Sequence, residues 1–316
     1  MQPLFISTPL VKSIKMGKSF QGQIYLKLET LQPTGSFKCR GIGTLCSHYA
    51  QNENCKGFVS SSGGNASLAV AYAGQVLDKP VEIIVPQTTL PLMIEKMQRL
   101  NTKVCVQGAD WNAADAHARL LAKRLDWHYI PPFDHPLIWN GHSTIIHEIK
   151  DTGLKPDAIV VAVGGGGLLC GLIEGLRTVG WSEIPVFSAE TEGAASFAAS
   201  IKKGQLITLD SIDTIATSLG AKRVANQAWV DAKTHPIIPK IVSDRQALQA
   251  VIRFFDEHNI LVEPACGAAL ALIYEKIVDP TLYPNIVVIV CGGKGVTLNL
   301  IEKWSEKLGL NNAPIY

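Results

Sequence analysis

The stretch A-I-V-V-A-V-G-G-G-G-L-L-C-G, Ala158 to Gly171, decides how the rest of the chain is read. It opens with an apolar, β-branched run that shows no alternation. That is the pattern of a strand buried on both faces of a parallel sheet. Four glycines close the run, and an apolar helical pattern, Leu168–Thr178, follows. A plain turn needs one or two glycines, and each one costs chain entropy. Four together imply that a ligand comes close to the backbone. Phosphate is the natural candidate, because unpaired N–H groups at a helix start carry the positive end of the helix dipole. A dinucleotide is the rival. G-x-G-x-x-G does not fit, since the third glycine falls on Leu169 counted from Gly164 and on Cys170 counted from Gly165. Glu190, at the end of the next strand, keeps the rival open, because it sits where an acidic residue would hold a ribose.

Outward from this stretch the same pattern repeats. Short apolar runs at Val81–Val85, Val104–Val106, Ile159–Val163, Pro185–Ala189 and Ile286–Val290 predict buried strands. Helical periodicity lies between them: Leu90–Leu100 after a Pro-Gln-Thr-Thr turn, Ala113–Leu125, and Gln246–His258 with Ser243 or Asp244 as its cap. The alternation is that of an α/β fold with crossover helices. A length of 316 residues suits about two domains and a large core without disulfide or metal staples. No repeat, low-complexity tract or Pro-rich linker separates them, so the domains are expected to pack closely, with a boundary near Pro131–Pro132. Lys202–Pro239 lacks periodicity and is expected to wrap the surface.

Composition narrows the function. Charged residues make up 18%, below the usual value of about 25%. The net charge is +2 with scattered lysines, which argues against a nucleic-acid partner. No apolar stretch reaches the roughly 18 residues of a membrane span, and the start, M-Q-P-L-F-I-S-T-P-L, lacks secretory features. Seven cysteines without C-x-x-C or zinc spacing read as free, mostly buried thiols in a reducing cytoplasm.

Two more turns and one lysine carry chemistry. V-S-S-S-G-G-N-A-S, from Val59, leads a strand into an alanine-rich helix. It would cradle a carboxylate, or it is a plain turn capped by Asn65 or Ser62. N-I-V-V-I-V-C-G-G-K-G, from Asn285, ends a strand at Cys291, for which a buried thiol is the simpler reading. Lys38 lies in P-T-G-S-F-K-C-R-G, Pro33 to Gly41, ahead of an apparent helix Gly41–Tyr49. Alone it would be an exposed first-turn lysine. Beside the other three features it reads as a desolvated, reactive amine. The set meets the needs of pyridoxal phosphate: an amine for the imine, a phosphate cradle, a partner for the ring nitrogen and a clamp for an amino-acid carboxylate.

These motifs stand in order along nearly the whole chain, together with E-P-A-C-G-A-A-L-A and I-P-P-F-D-H-P-L-I-W-N-G-H. They resemble the L-serine/L-threonine dehydratases of the fold type II, tryptophan-synthase-β-like pyridoxal-phosphate enzymes. The resemblance implies two open, twisted, mostly parallel sheets flanked by helices, with the cofactor between a large and a small domain. Residues 36–135 would form the small domain, and 1–35 with 136–316 the large one. No regulatory domain is expected after Tyr316.

The resemblance also implies roles. Lys38 would hold the cofactor as an internal aldimine and then take the substrate's Cα proton. Phe37 and Phe133 would line the cofactor pocket, Asn65 would bond its phenolic oxygen, and Gly164, Gly165, Gly166 and Gly167 would hold its phosphate. Cys291, followed by Gly292, would face the ring nitrogen. Ser62 and the turn Gly63, Gly64, Asn65 and Ala66 would take the substrate carboxylate. Glu190, with carbonyls of Gly164, Ala194, Leu219 and Ala221, would surround a monovalent cation such as potassium. The β-hydroxyl would leave, protonated by the cofactor phosphate, to give a 2-oxo acid and ammonia. A homodimer is the family expectation.

Three residues depart from the pattern. Gly63 stands where serine racemases carry a serine, so poor racemisation is expected. Cys39 replaces an aliphatic residue, and Lys294 a small polar one. A cysteine-synthase-like β-replacement enzyme and an NAD-dependent dehydrogenase remain as alternatives.

Overall fold

The computed structural model of the protein describes residues 2–310, so Met1 and residues 311–316 of the expected large domain lie outside the described residues. Ten strands are formed: β1 (Leu10–Ser13), β2 (Gln23–Lys27), β3 (Phe58–Ser60), β4 (Val81–Val85), β5 (Lys103–Val106), β6 (His128–Tyr129), β7 (Ala158–Ala162), β8 (Val186–Thr191), β9 (Ile237–Val242) and β10 (Asn285–Ile289). Twelve α-helices alternate with them. They are α1 (Ile14–Phe20), α2 (Lys38–Ala50), α3 (Asn65–Val76), α4 (Pro91–Gln98), α5 (Trp111–Leu125), α6 (Pro136–Asp151), α7 (Gly167–Thr178), α8 (Ser196–Lys203), α9 (Asn226–Asp231), α10 (Asp244–His258), α11 (Pro264–Tyr274) and α12 (Leu298–Lys307).

The strands form two sheets, a six-stranded one in the order β1-β2-β10-β7-β8-β9 and a four-stranded one in the order β5-β4-β3-β6. Every pair is parallel except β1 with β2. In the large sheet Val287 of β10 sits opposite Tyr25 of β2 and Ile159 of β7. In the small one Val59 sits opposite Glu82 and Tyr129. The unbroken apolar strands are explained by cover on both faces. β7 is wholly buried, and α11, apolar all round, has no exposed residue. Ser243 caps α10 in a reciprocal capping box with Gln246, which settles the choice between Ser243 and Asp244.

Two expectations need correction. Lys38 does not precede its helix but opens it, because Gly41 is accommodated in the interior of α2 rather than ending a turn. Residues 202–239 do not merely wrap the surface. They contain α9 and the start of β9, and Leu219, Val224, Ala225 and Ala228 are buried. The segment packs onto the glycine loop, where the Ala225 N–H donates to the Gly165 carbonyl at 3.0 Å. Its contacts are with loop backbone rather than along one helix face, so no periodicity marks it. The carboxyl ends of β2, β7 and β10 and those of β3 and β6 run into the segments that carry the singled-out residues. That end of a parallel sheet is where ligands bind.

Candidate active site

Lys38 is placed by a knot of backbone bonds. The Phe37 N–H donates to the Cys291 carbonyl at 3.2 Å, the Gly293 N–H donates to the Gly35 carbonyl at 2.9 Å, and Ser36 bridges Gly292. Gly292, at φ +85°, lies so close to the Gly35 carbonyl and to Thr30 that a side chain has no room. The lysine turn and the Cys291 strand end are therefore one unit, although about 250 residues separate them. Lys38 is half-buried. Its amine donates to the Pro132 carbonyl at 2.5 Å and has no carboxylate partner among the described residues. Enclosure lowers its pKa from 10.5 to about 8.

The residues flanking this lysine have structural duties. Arg40 is fully buried and takes up both oxygens of Glu29 (2.7 and 2.8 Å) and both of Glu148 (2.6 and 2.8 Å). Lys27 also reaches Glu148. Cys39 is buried, donates its thiol to the Leu4 carbonyl at 3.0 Å, and is pushed up to about 11 by burial. It ties the N-terminal arm to α2 and is inert as a nucleophile.

The four glycines form a bare cradle. A β-carbon on Gly164 would strike the Ser218 carbonyl and Leu219, one on Gly165 the Phe133 ring, one on Gly167 the Phe133 backbone. Gly166 caps α7 at φ +85° without any side-chain bond, so the first amides of α7 stay free for an anion. Cys291 is buried at the end of β10. The neighbouring Cys266 thiol and burial raise its pKa well above the ordinary value, so it is a neutral, free thiol.

On the opposite side, α3 is capped by Gly64, and no side chain caps its amides; neither Asn65 nor Ser62 serves as the cap of a plain turn. The Ser62 hydroxyl accepts from the Gly64 N–H at 3.2 Å. Asn65 is held at both ends of its amide. The nitrogen donates to both Glu263 oxygens at 3.0 Å, and the oxygen accepts from the Lys294 N–H at 3.0 Å. Ala66 is buried behind the turn.

Glu190 is fully buried and accepts from the amides of Phe197 and Ala198 at 2.9 and 2.7 Å. Burial pushes it up to about 7 against these bonds. Gly164 packs on Leu219, whose carbonyl accepts from the Ala221 N–H at 2.7 Å, and Ala194 is buried near the end of β8.

Three participants lie in motifs the sequence reading quoted but gave no role. Glu263 takes bonds from Asn65, from Ser218 at 2.6 Å and from the Gly295 N–H at 2.6 Å, yet has no basic partner among the described residues. An acidic residue immediately before a proline-led apolar helix was its only signal. His142 is buried edge-on against Phe37, with ring centroids 5.0 Å apart, and neither of its ring nitrogens has a partner among the described residues. Burial holds it well below its ordinary pKa, hence neutral. Pro132 was marked only as a domain boundary and as part of a family motif; nothing in the sequence points to its carbonyl as the acceptor for Lys38.

An enclosed amine without a carboxylate partner, an uncapped helix start behind four glycines and a neutral thiol just past a strand end, set at the ends of two mostly parallel sheets, define an enzyme that works through a carbonyl cofactor. The chain belongs to the pyridoxal-phosphate dependent enzyme family, whose sequence profile matches residues 1–292. It is 44% identical over 98% of both chains to the L-serine dehydratase/L-threonine deaminase of Homo sapiens. It is 41% identical to the "serine dehydratase-like" protein of Homo sapiens, over 98% of this chain and 96% of that one. Among solved structures, a fungal L-serine ammonia-lyase from Rhizomucor miehei superposes with a TM-score of 0.92 at 37% identity, covering 97% of this chain and all of that one. The architecture is that of the fold type II enzymes, shared also with a threonine deaminase from Solanum lycopersicum (TM-score 0.85, 27% identity, 96% and 88% of the two chains).

Proposed function

We propose that the protein is a pyridoxal-phosphate dependent ammonia-lyase that converts L-serine to pyruvate and L-threonine to 2-oxobutyrate, releasing ammonia. The names of its relatives support this substrate class. The observation that carries the site assignment is Lys38, an enclosed amine without a carboxylate partner, tied directly to the Cys291 strand end. The residues present fit the cofactor, since the α7 amides that follow the glycine run lack a side-chain cap and suit a phosphate, and an enclosed amine stands free of any carboxylate among the described residues.

When bound, pyridoxal phosphate supplies an electron sink for the Cα–H bond, which lets the β-hydroxyl leave. The protein does the rest. Gly164 to Gly167 and the α7 amides hold the phosphate. Asn65, its amide fixed by Glu263 and the Lys294 N–H, trades one of its two bonds to Glu263 for one to the phenolic oxygen. Phe37 and Phe133 exclude water. Ser62 and the amides of Gly63 to Ala66 take the α-carboxylate. The Lys38 amine, poised near neutral pH, removes the Cα proton. Cys291 leaves the ring nitrogen unprotonated, which favours elimination over transamination. Gly63 offers no acid on the opposite face, so racemisation is slow.

Glu190 holds a monovalent cation in this reading. It is a buried carboxylate with no basic side chain on it among the described residues, which suits a weakly bound ion. Residues 36–135 form the small domain, supported by the confinement of the four-stranded sheet to 58–129. The protein works as a cytoplasmic homodimer. No helix among the described residues is long and apolar enough to cross a membrane. The relatives named above favour elimination over the β-replacement and dehydrogenase alternatives. The test is an assay of pyruvate and 2-oxobutyrate from L-serine and L-threonine, with sodium or potassium as the cation. Products that require a second substrate, such as sulfide, would favour β-replacement instead.

A further inference from the structure

Thr89 has an unused hydroxyl at the mouth of the carboxylate turn. β4 ends at Val85, and the chain then turns back through Pro86-Gln87-Thr88-Thr89. The turn is closed by the Thr89 N–H on the Pro86 carbonyl at 3.0 Å and anchored by the Gln87 N–H on the Gly108 carbonyl at 3.0 Å. It lays Thr89 directly over Gly63. A β-carbon built on Gly63 would run into the Thr89 hydroxyl, with the threonine methyl at 2.9 Å and its β-carbon at 3.2 Å. The hydroxyl is shielded from solvent and has no hydrogen-bond partner among the described residues.

A shielded hydroxyl without a partner has given up its bonds to water, and such atoms in native proteins call for an explanation. Here the neighbouring group is the Ser62–Asn65 turn, whose α3 amides have no side-chain cap either. Donors without acceptors converge on one place from two loops, and a carboxylate is an acceptor that satisfies both. We propose that Thr89 is a substrate-contacting residue whose hydroxyl donates to the α-carboxylate held by the Ser62–Asn65 turn. This rests on the dehydratase reading above and adds a residue to its substrate site. Gly63 then has a second reason to be glycine, because any side chain there would push the Thr89 hydroxyl off the carboxylate.

The experiment compares the holoenzyme with Thr89→Val, which keeps the shape and loses the hydroxyl, and with Thr89→Ser, which keeps the hydroxyl. Glycine and L-alanine, which cannot eliminate, are titrated against the visible absorbance of each protein. Thr89→Val is expected to weaken both ligands by about 10- to 100-fold, the span of a lost hydrogen bond to a charged group. Its KM for L-serine should rise by the same factor, while cofactor affinity and melting temperature stay at wild-type values. Thr89→Ser should restore binding, and Gly63→Ala should reproduce the loss.

Wild-type affinity for glycine and L-alanine in a folded Thr89→Val would overturn the proposal. So would a loss confined to L-serine, which would place the hydroxyl on the β-oxygen instead. A wild-type protein without spectral response to any amino acid would overturn the dehydratase reading itself, and the role of Thr89 with it.

Discussion

Enclosure of the Lys38 amine has a measurable consequence for how the protein takes up its cofactor. Only the neutral amine attacks an aldehyde. With a pKa lowered from 10.5 to about 8, Lys38 is neutral in about one molecule in ten at pH 7. An ordinary lysine is neutral in about one in three thousand, so the advantage is about 300-fold. It shrinks as pH rises, because Lys38 is already mostly neutral above about 8 while a free amine keeps gaining.

The assay follows attachment of pyridoxal phosphate to the apo protein by visible absorbance from pH 6 to 10, with Nα-acetyl-lysine as the reference at each pH. Expressed as a ratio, changes in the ionisation of the aldehyde cancel. The protein's rate should rise about tenfold per pH unit and then level off near 8, and the ratio should fall steadily above that. A rate that climbs in parallel with the reference up to pH 10 would refute the enclosure argument. The same shift makes the folded chain bind fewer protons than the unfolded one between about 8 and 10.5. This group's contribution to stability therefore improves as pH rises through that window.

Four further outcomes are expected. Arg40→Met leaves Glu29 and Glu148 without their shared buried cation and should cost about 3–5 kcal/mol in a denaturant titration. Burial alone would raise Glu148, but Arg40 and Lys27 outweigh it and hold its pKa below 4.5; its contribution is therefore fully present above 4.5 and lost as pH falls through the lowered value, a slope that Glu148→Gln should remove. Cys291→Asp should yield pyridoxamine phosphate during turnover of L-serine, measured by chromatography, and an unchanged product profile would count against the neutral-thiol argument. Potassium should raise the melting temperature relative to a bulky organic cation at equal ionic strength, and Glu190→Gln should abolish that difference.

Much of this molecule was legible from residue order alone, for definable reasons. Strands such as β7 and β10 are buried on both faces and so carry uninterrupted apolar runs. The glycine turns stand out because close backbone packing admits no other residue. What stayed hidden depends on contacts between distant segments. Thr89 is unremarkable in sequence and Glu263 only opens a family motif; both gain a role only where the loop after β4 turns back over Gly63 and α11 starts beside Asn65. The role of Cys39 was open until the N-terminal arm was seen lying across it. The short β6 and the loop after α8 lack periodicity because tertiary packing, not a repeating face, holds them.

The central claim is that Lys38 is the residue that carries the cofactor and serves as the base. Borohydride reduction of the holoenzyme fixes the cofactor to its lysine, and peptide mass spectrometry then locates it. The account predicts a phosphopyridoxyl group on Lys38 alone, within P-T-G-S-F-K-C-R-G, and a Lys38→Ala protein that forms no pyruvate from L-serine. A label on another lysine such as Lys27 or Lys96, or full dehydratase activity in Lys38→Ala, would contradict it.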